Sequence, residues 1–240
     1  YTELLASRPR EEADRLVNVI YTFLLVALVA VTVLGMVFSP WIVTLMSPGF
    51  LAYPEKLALT IRLTRILFPF IFFVGLVALC MGILNSLRHF AAPALSPVIL
   101  NISMITATLA LRGYFREPII ALAVGVLIGG VLQLAMQWPF LLKMGIRLRL
   151  DFRLSHPGLR QIGRLMVPSF LGSAVYQINI LIGTILASLL PRGSVSFLYY
   201  ADRVVELPLG VFAIAVGTAA LPSFSAQVSA GDLEKLKKTI

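Results

Sequence analysis

The chain has 240 residues, of which 59% are hydrophobic and only 13% charged, and its formal net charge is +9. That balance excludes an ordinary soluble domain, in which about a quarter of the residues are charged. A nucleic-acid binder is not indicated either: the cations share no amphipathic face but sit in short connections between apolar runs, the pattern of a polytopic membrane protein.

Cysteine and histidine add little. The single Cys80 lies inside an apolar run, so no intramolecular disulfide and no thiolate metal site is expected. His89 and His156 fall in separate predicted loops, and no metal site is expected from them. The first residue is Tyr1 and no signal peptide is visible, so the sequence reads as an excerpt of a longer chain.

In chain order, residues 1–15 are expected to carry the end of a preceding helix into a charged cytoplasmic loop. A first span is predicted from Leu16 to Phe38, ending at Ser39-Pro40, with Trp41 as an interfacial anchor. Met46-Ser47-Pro48-Gly49-Phe50 reads as a turn. A second helix is predicted from Pro54 to Leu87, too long for one straight crossing. Its early residues Lys56, Arg62 and Arg65 are placed at the headgroups or a cavity mouth, and Pro69 should kink it. Arg88 to Pro93 is a tight connection.

The third span covers Ala94–Leu111 and holds Asn101, whose favoured reading is a hydrogen bond across helices. The fourth runs from Ile119 to Leu142, with Gly125, Gly129 and Gly130 for close approach and Gln133 and Gln137 stacked four residues apart. Residues 16–142 thus form four transmembrane helices of one lobe. Residues 143–158 form a basic cytoplasmic inter-lobe loop, and 159–230 the first two helices of a second lobe. The tail 231–240 returns to the cytoplasm.

In the fifth helix, Leu159–Leu190, Ser169, Ser173 and Gln177 recur at every fourth residue beside Tyr176 and Asn179. They line either a cavity wall or a packing seam formed with Gly172 and Gly183. Pro191-Arg192-Gly193 is short enough to make the fifth and sixth helices antiparallel neighbours.

The sixth helix, Ser194 to Val228, carries the most informative stretch. Arg203 lies about 14 Å into it, flanked by Asp202 and Glu206, where a charge costs on the order of 2.5–3.5 kcal/mol on insertion scales. Ser196, Tyr199, Arg203, Glu206 and Gly210 are spaced so as to share one helical face. Asp202 borders it, within reach of Glu206, and Pro208 should bend the helix just beyond. One reading is a structural ion pair of Arg203 with Asp202 or Glu206 between packed helices. The other is a binding face. One cation against two carboxylates would repel an anion, so an anionic ligand needs a protonated carboxylate or further cations converging from elsewhere.

Orientation follows from counting Lys and Arg. Arg8, Arg10, Arg15, Arg88, the six of the 143–164 region and Lys235, Lys237 and Lys238 lie on one side; Lys56, Arg62, Arg65, Arg112, Arg116 and Arg192 lie on the other. Thirteen against six puts both ends of the chain in the cytoplasm. Tyr1-Thr2-Glu3-Leu4-Leu5-Ala6-Ser7 also resembles Phe224-Ser225-Ala226-Gln227-Val228-Ser229-Ala230, which suggests a protein built from repeated halves. The expected fold class is therefore an all-α polytopic membrane protein with six transmembrane helices, part of a two-lobe bundle of six plus six.

Four segments together resemble one family: Ser47-Pro48-Gly49-Phe50, Leu100-Asn101-Ile102-Ser103-Met104-Ile105, Gly193-Ser194-Val195-Ser196 with Tyr199-Tyr200-Ala201-Asp202-Arg203, and Ala219-Ala220-Leu221-Pro222-Ser223. They resemble the MurJ/MviN family of bacterial lipid II flippases, within the multidrug/oligosaccharidyl-lipid/polysaccharide exporter superfamily. The resemblance covers the whole chain and implies helices three to eight of fourteen. It implies a substrate, lipid II (a polyprenyl diphosphate bearing a disaccharide-pentapeptide), and membrane lipids as surroundings. It implies alternating access across the bacterial inner membrane through a cationic cavity between two lobes.

By motif match, Arg203 corresponds to an essential cavity arginine and Ser196 to a cavity serine; these are the expected diphosphate contacts, with Tyr199, Asp202 and Glu206 as a surrounding charge network. The family's other essential arginines lie in its first two helices, outside this sequence, so the chain by itself is not expected to transport. No nucleophile–base pair, Walker motif or metal cluster is present in the sequence, so no enzyme activity and no cofactor is expected. Energy would come from the membrane potential or a coupling ion. The competing function is an ion-coupled drug or small-molecule antiporter, with Asp202 and Glu206 as proton or sodium sites.

Overall fold

The computed structural model describes residues 10–153 and 157–210, and among these the regular structure is helical, without strands. The helices are α1 (Arg10–Met46), α2 (Pro54–Ser86), α3 (Ala91–Leu111), α4 (Ile119–Lys143), α5 (Pro157–Ser188) and α6 (Ser194–Pro208), with a 3-10 turn at Pro48–Ala52. The first four, and Phe170–Ser188 of α5, are long and apolar enough to cross a membrane. The predicted sixth span is described only as far as a π turn at Leu209 and Gly210, directly after Pro208; its continuation to Val228 lies outside the described residues. So do both segments of the sequence repeat, the Ala219–Ser223 motif, and residues 1–9 and 231–240. The chain divides into two compact units after Ile185, and α6 belongs to the second.

The first span is longer than the sequence suggests. Proline was expected to end it, yet α1 runs through Ser39, Pro40 and Trp41 to Met46. Pro40 has no N–H to offer the carbonyl four residues back, Met36. The Ser39 hydroxyl donates to that carbonyl instead, at 3.0 Å, and fills the gap. The helix α3 likewise starts three residues early, at Ala91, because Pro93 stands in a first turn whose amides have no intrahelical partner anyway.

In the first unit α1 packs on α2, α2 on α4, and α4 on α3. Without a hydrophobic drive between helices in lipid, small residues set these seams. A Cβ at Gly125 would lie 2.8 Å from the Ala107 Cβ and 3.0 Å from the Met104 Cα, and one at Gly129 would lie 2.6 Å from Leu100. These two glycines, four residues apart, are where α4 meets α3. Between α1 and α2, the Phe68 ring fills the space that a side chain at Gly35 would need.

The core is concentrated at one end of the four-helix group. Val17 of α1, Cys80, Ile83 and Leu84 of α2, Ala92 of α3, Leu141 of α4 and Ile146 beyond it form one buried cluster. Both helices that end there stop with a left-handed residue. Gly145, at φ 78°, follows α4; the Ile146 amide then reaches back to the Leu141 carbonyl at 2.9 Å and places the Ile146 side chain in the core. Arg88, at φ 59°, does the same after α2, with the His89 amide on the Leu84 carbonyl at 2.9 Å.

The segment after Gly145 lies extended along α1. Arg10 donates to the Met144 carbonyl, the Arg149 amide donates to Asn18 Oδ1 at 2.8 Å, and the Asp151 amide to Thr22 Oγ1 at 2.8 Å. Arg15 faces Asp151 at 3.7 Å. Asn18 and Thr22 lie one turn apart on α1, and Arg149 and Asp151 two residues apart on an extended chain, both steps of about 6 Å. Ile146 and Leu148 turn inward while Arg147 and Arg149 are exposed, so the basic loop starts as a docked strap.

Candidate functional site

The second unit begins with a tight turn. The Ser194 amide and hydroxyl both donate to the Pro191 carbonyl, at 3.2 and 2.8 Å, and Gly193 at φ 104° turns the chain into α6. From there the predicted stripe forms. Arg203 Nη1 lies 2.6 Å from Glu206 Oε2, one turn on, and the Arg203 guanidinium carbon lies 5.1 Å from the centroid of the Tyr199 ring, one turn back. The cation is thus held along the helix between an aromatic face and a carboxylate.

The structure decides which acid pairs with Arg203. Glu206 does, while Asp202 is exposed and makes no ion pair among the described residues. Ser196 is exposed two turns before Arg203 on the same face, with no side-chain hydrogen bond among the described residues. No residue of α6 is buried, and the Arg203 and Glu206 side chains are 59% and 47% exposed. The packed, buried ion pair considered from the sequence is not what the described residues form. Held only by its neighbours along the helix, Arg203 ties α6 to no second helix among the described residues.

On α5, in the first unit, Ser173 and Gln177 are exposed one turn apart, as are Tyr176 and Asn179; the Ser169 side chain lies outside the described residues. A Cβ at Gly172 would meet nothing within 4 Å among the described residues. Asn101, expected to bond across helices, is exposed on α3.

The interhelical bonds come from Gln133, Gln137 and Arg65, all noted in the sequence, and one of their acceptors, Ser96, is a residue that the sequence does not single out. Buried Ser96 of α3 receives Gln133 Nε2 on its carbonyl at 2.8 Å and Gln137 Nε2 on its hydroxyl at 2.6 Å. Farther along the same seam an apolar cavity of about 400 Å³ is lined by Ile102, Thr106, Ala107, Leu111, Ile128 and Leu132. On α2, Arg65 Nε donates to Ser39 Oγ at 2.9 Å. No cluster of three or more metal-ligating side chains occurs among the described residues.

A family model described as lipid II flippase MurJ matches residues 1–240. The chain belongs to the MurJ family. A probable lipid II flippase MurJ of Buchnera aphidicola from Acyrthosiphon pisum is 38% identical over 238 residues, covering 99% of this chain and 47% of the relative. A lipid II flippase MurJ of Burkholderia cenocepacia is 37% identical over 214 residues, 88% of this chain and 42% of the relative. A solved lipid II flippase MurJ in an inward closed conformation superposes with a TM-score of 0.76 at 30% identity, over 95% of this chain and 47% of that structure. The chain therefore spans about half the length of the MurJ relatives it matches. The all-helical, multi-pass membrane architecture expected from the sequence is the architecture of this family.

Proposed function

We propose that this chain is part of a flippase that moves lipid II from the inner to the outer leaflet of the bacterial cytoplasmic membrane by alternating access. Both ends of the chain would lie in the cytoplasm. The observation that carries the reading is Arg203, presented between Tyr199 and Glu206 on a wholly exposed face of a helix in a MurJ-family chain.

The chemistry fits a diphosphate. A guanidinium offers planar paired donors that match two phosphate oxygens at once. Glu206 occupies one edge of Arg203 before substrate arrives and keeps the side chain extended along the stripe. The diphosphate then competes with Glu206 for the same donors, so its arrival breaks one ion pair and makes another. Ser196 adds a hydroxyl on the approach side. With Asp202 also facing this region, the local charge stays at −1, and cations from the rest of the protein must help to hold the anion. Translocation would be driven by the membrane potential or an ion gradient, without a bound cofactor or a chemical step.

The test is movement of fluorescent lipid II across proteoliposomes that contain the intact protein. Transport of lipid II supports the reading. Movement of a cationic drug in exchange for protons or sodium, with lipid II left in place, would replace it with the antiporter.

A further inference from the structure

A second arginine, remote from the α6 stripe in sequence, is held in a way that suits an anion. Ser39-Pro40 interrupts the apolar run of α1 beside Trp41, an interfacial residue type, and the charge-free apolar run of α2 begins at Ile66, so Ser39 and Arg65 meet at the level of the membrane interface. By the charge count this is the exterior side of the membrane. Beyond it α1 continues to Met46 and α2 starts at Pro54, which lifts the connecting turn about 10–17 Å above this level.

Arg65 is fixed there by a relay that begins with a missing hydrogen. Pro40 cannot bond the Met36 carbonyl, the Ser39 hydroxyl bonds it instead, and the oxygen of that fully buried hydroxyl accepts Nε of Arg65. The bond uses one of the five guanidinium N–H groups. The paired Nη edge makes no ion pair among the described residues, and Arg65 is exposed. Arg62, one turn earlier on the same side of α2, is also exposed and without an ion pair among them. The acidic residue of the first turn of α2, Glu55, lies ten residues from Arg65, about 15 Å along the axis. A tie between α1 and α2 alone would not need a charge at this depth, nor two.

We infer that Arg65, oriented by Ser39 and assisted by Arg62, binds the phosphate of a membrane lipid at the exterior interface. Two lipids carry that chemistry: a polyprenyl diphosphate leaving the transport path, and an ordinary phospholipid of the outer leaflet. The first source rests on the flippase reading; the second does not.

The intact protein in detergent is titrated separately with farnesyl diphosphate and with phosphatidylglycerol. Arg65→Gln is expected to weaken binding of at least one probe about tenfold, the loss of one bidentate charged contact. Ser39→Ala keeps the charge but frees the side chain, and should weaken the same probe about threefold. Loss against farnesyl diphosphate assigns the site to the transported class of lipid, and loss against phosphatidylglycerol alone assigns it to bulk phospholipid. Arg62→Gln, which breaks no bond between helices, carries the test if Arg65→Gln misfolds, and is expected to weaken the same probe. Unchanged affinities in the folded variants, or a parent protein that binds neither probe, overturn the inference. Lipid II flipping is measured on the same preparations, so a failure here is distinguishable from a failure of the flippase reading.

Discussion

Glu206 holds Arg203 at 2.6 Å, while Asp202, the immediate neighbour of Arg203, makes no ion pair among the described residues. Two carboxylates that look equivalent in the sequence therefore have different surroundings. Glu206→Gln should slow flipping severalfold, because Arg203 loses its orientation. It should not weaken binding of a polyprenyl diphosphate, because a competing negative charge is gone. Asp202→Asn should leave flipping within about twofold, as expected for a carboxylate outside the ion pair. Rates and affinities on the same preparations check both; abolished flipping in Asp202→Asn would instead mark that residue as the carrier of a coupling proton.

Ser96 is the shared acceptor for Gln133 and Gln137, and the Oε1 atoms of both amides are buried without a hydrogen-bond partner. Ser96→Ala removes only the acceptor of Gln137 and should cost about 1 kcal/mol. Gln137→Leu removes the orphaned oxygen together with the donor and should be close to neutral. In the double variant the Ser96 penalty should largely vanish, a coupling of about 1 kcal/mol in a thermal-unfolding cycle.

The two left-handed residues at the buried end make a matched pair. Gly145→Ala adds a Cβ at φ 78°, 2.8 Å from Arg10 Nη2, and should cost about 1–2 kcal/mol. Arg88→Gly relieves the same backbone strain at φ 59° and should gain about 0.5–1 kcal/mol. Opposite shifts in the unfolding temperature of the intact protein are the expected result.

The orientation is open to direct test. A cysteine at Phe152 should label from the cytoplasm and one at Arg192 from outside, against a background in which Cys80 is 1% exposed. Labelling of both from the exterior would overturn the six-span topology, and the swapped pattern would reverse the orientation.

Much of the fold is legible because apolar length and glycine spacing act locally: the helices, the Gly125–Gly129 contact with α3 and the Arg203 stripe follow from them. What escapes the sequence depends on partners far along the chain. Ser39-Pro40 reads as a helix end until Ser39 is seen to replace the missing proline donor. Ser96 shows no sign of receiving two amides from α4, while Asn101, a stronger hydrogen-bonding side chain, is turned outward. The choice of Glu206 over Asp202 is a matter of rotamer and angle that spacing alone leaves open.

The role of Arg203 is tested by flipping of fluorescent lipid II by the intact protein and by its Arg203→Ala variant, reconstituted at equal density. No residue of α6 is buried among the described residues, so the substitution removes no packing contact there, and reconstitution at equal density controls for folding and insertion. The substitution also leaves Asp202 and Glu206 uncompensated before the diphosphate. The rate should fall below about a tenth of the parent rate, with partial activity in Arg203→Lys, which keeps the charge and loses the fork. A parent-like rate in Arg203→Ala would contradict that role.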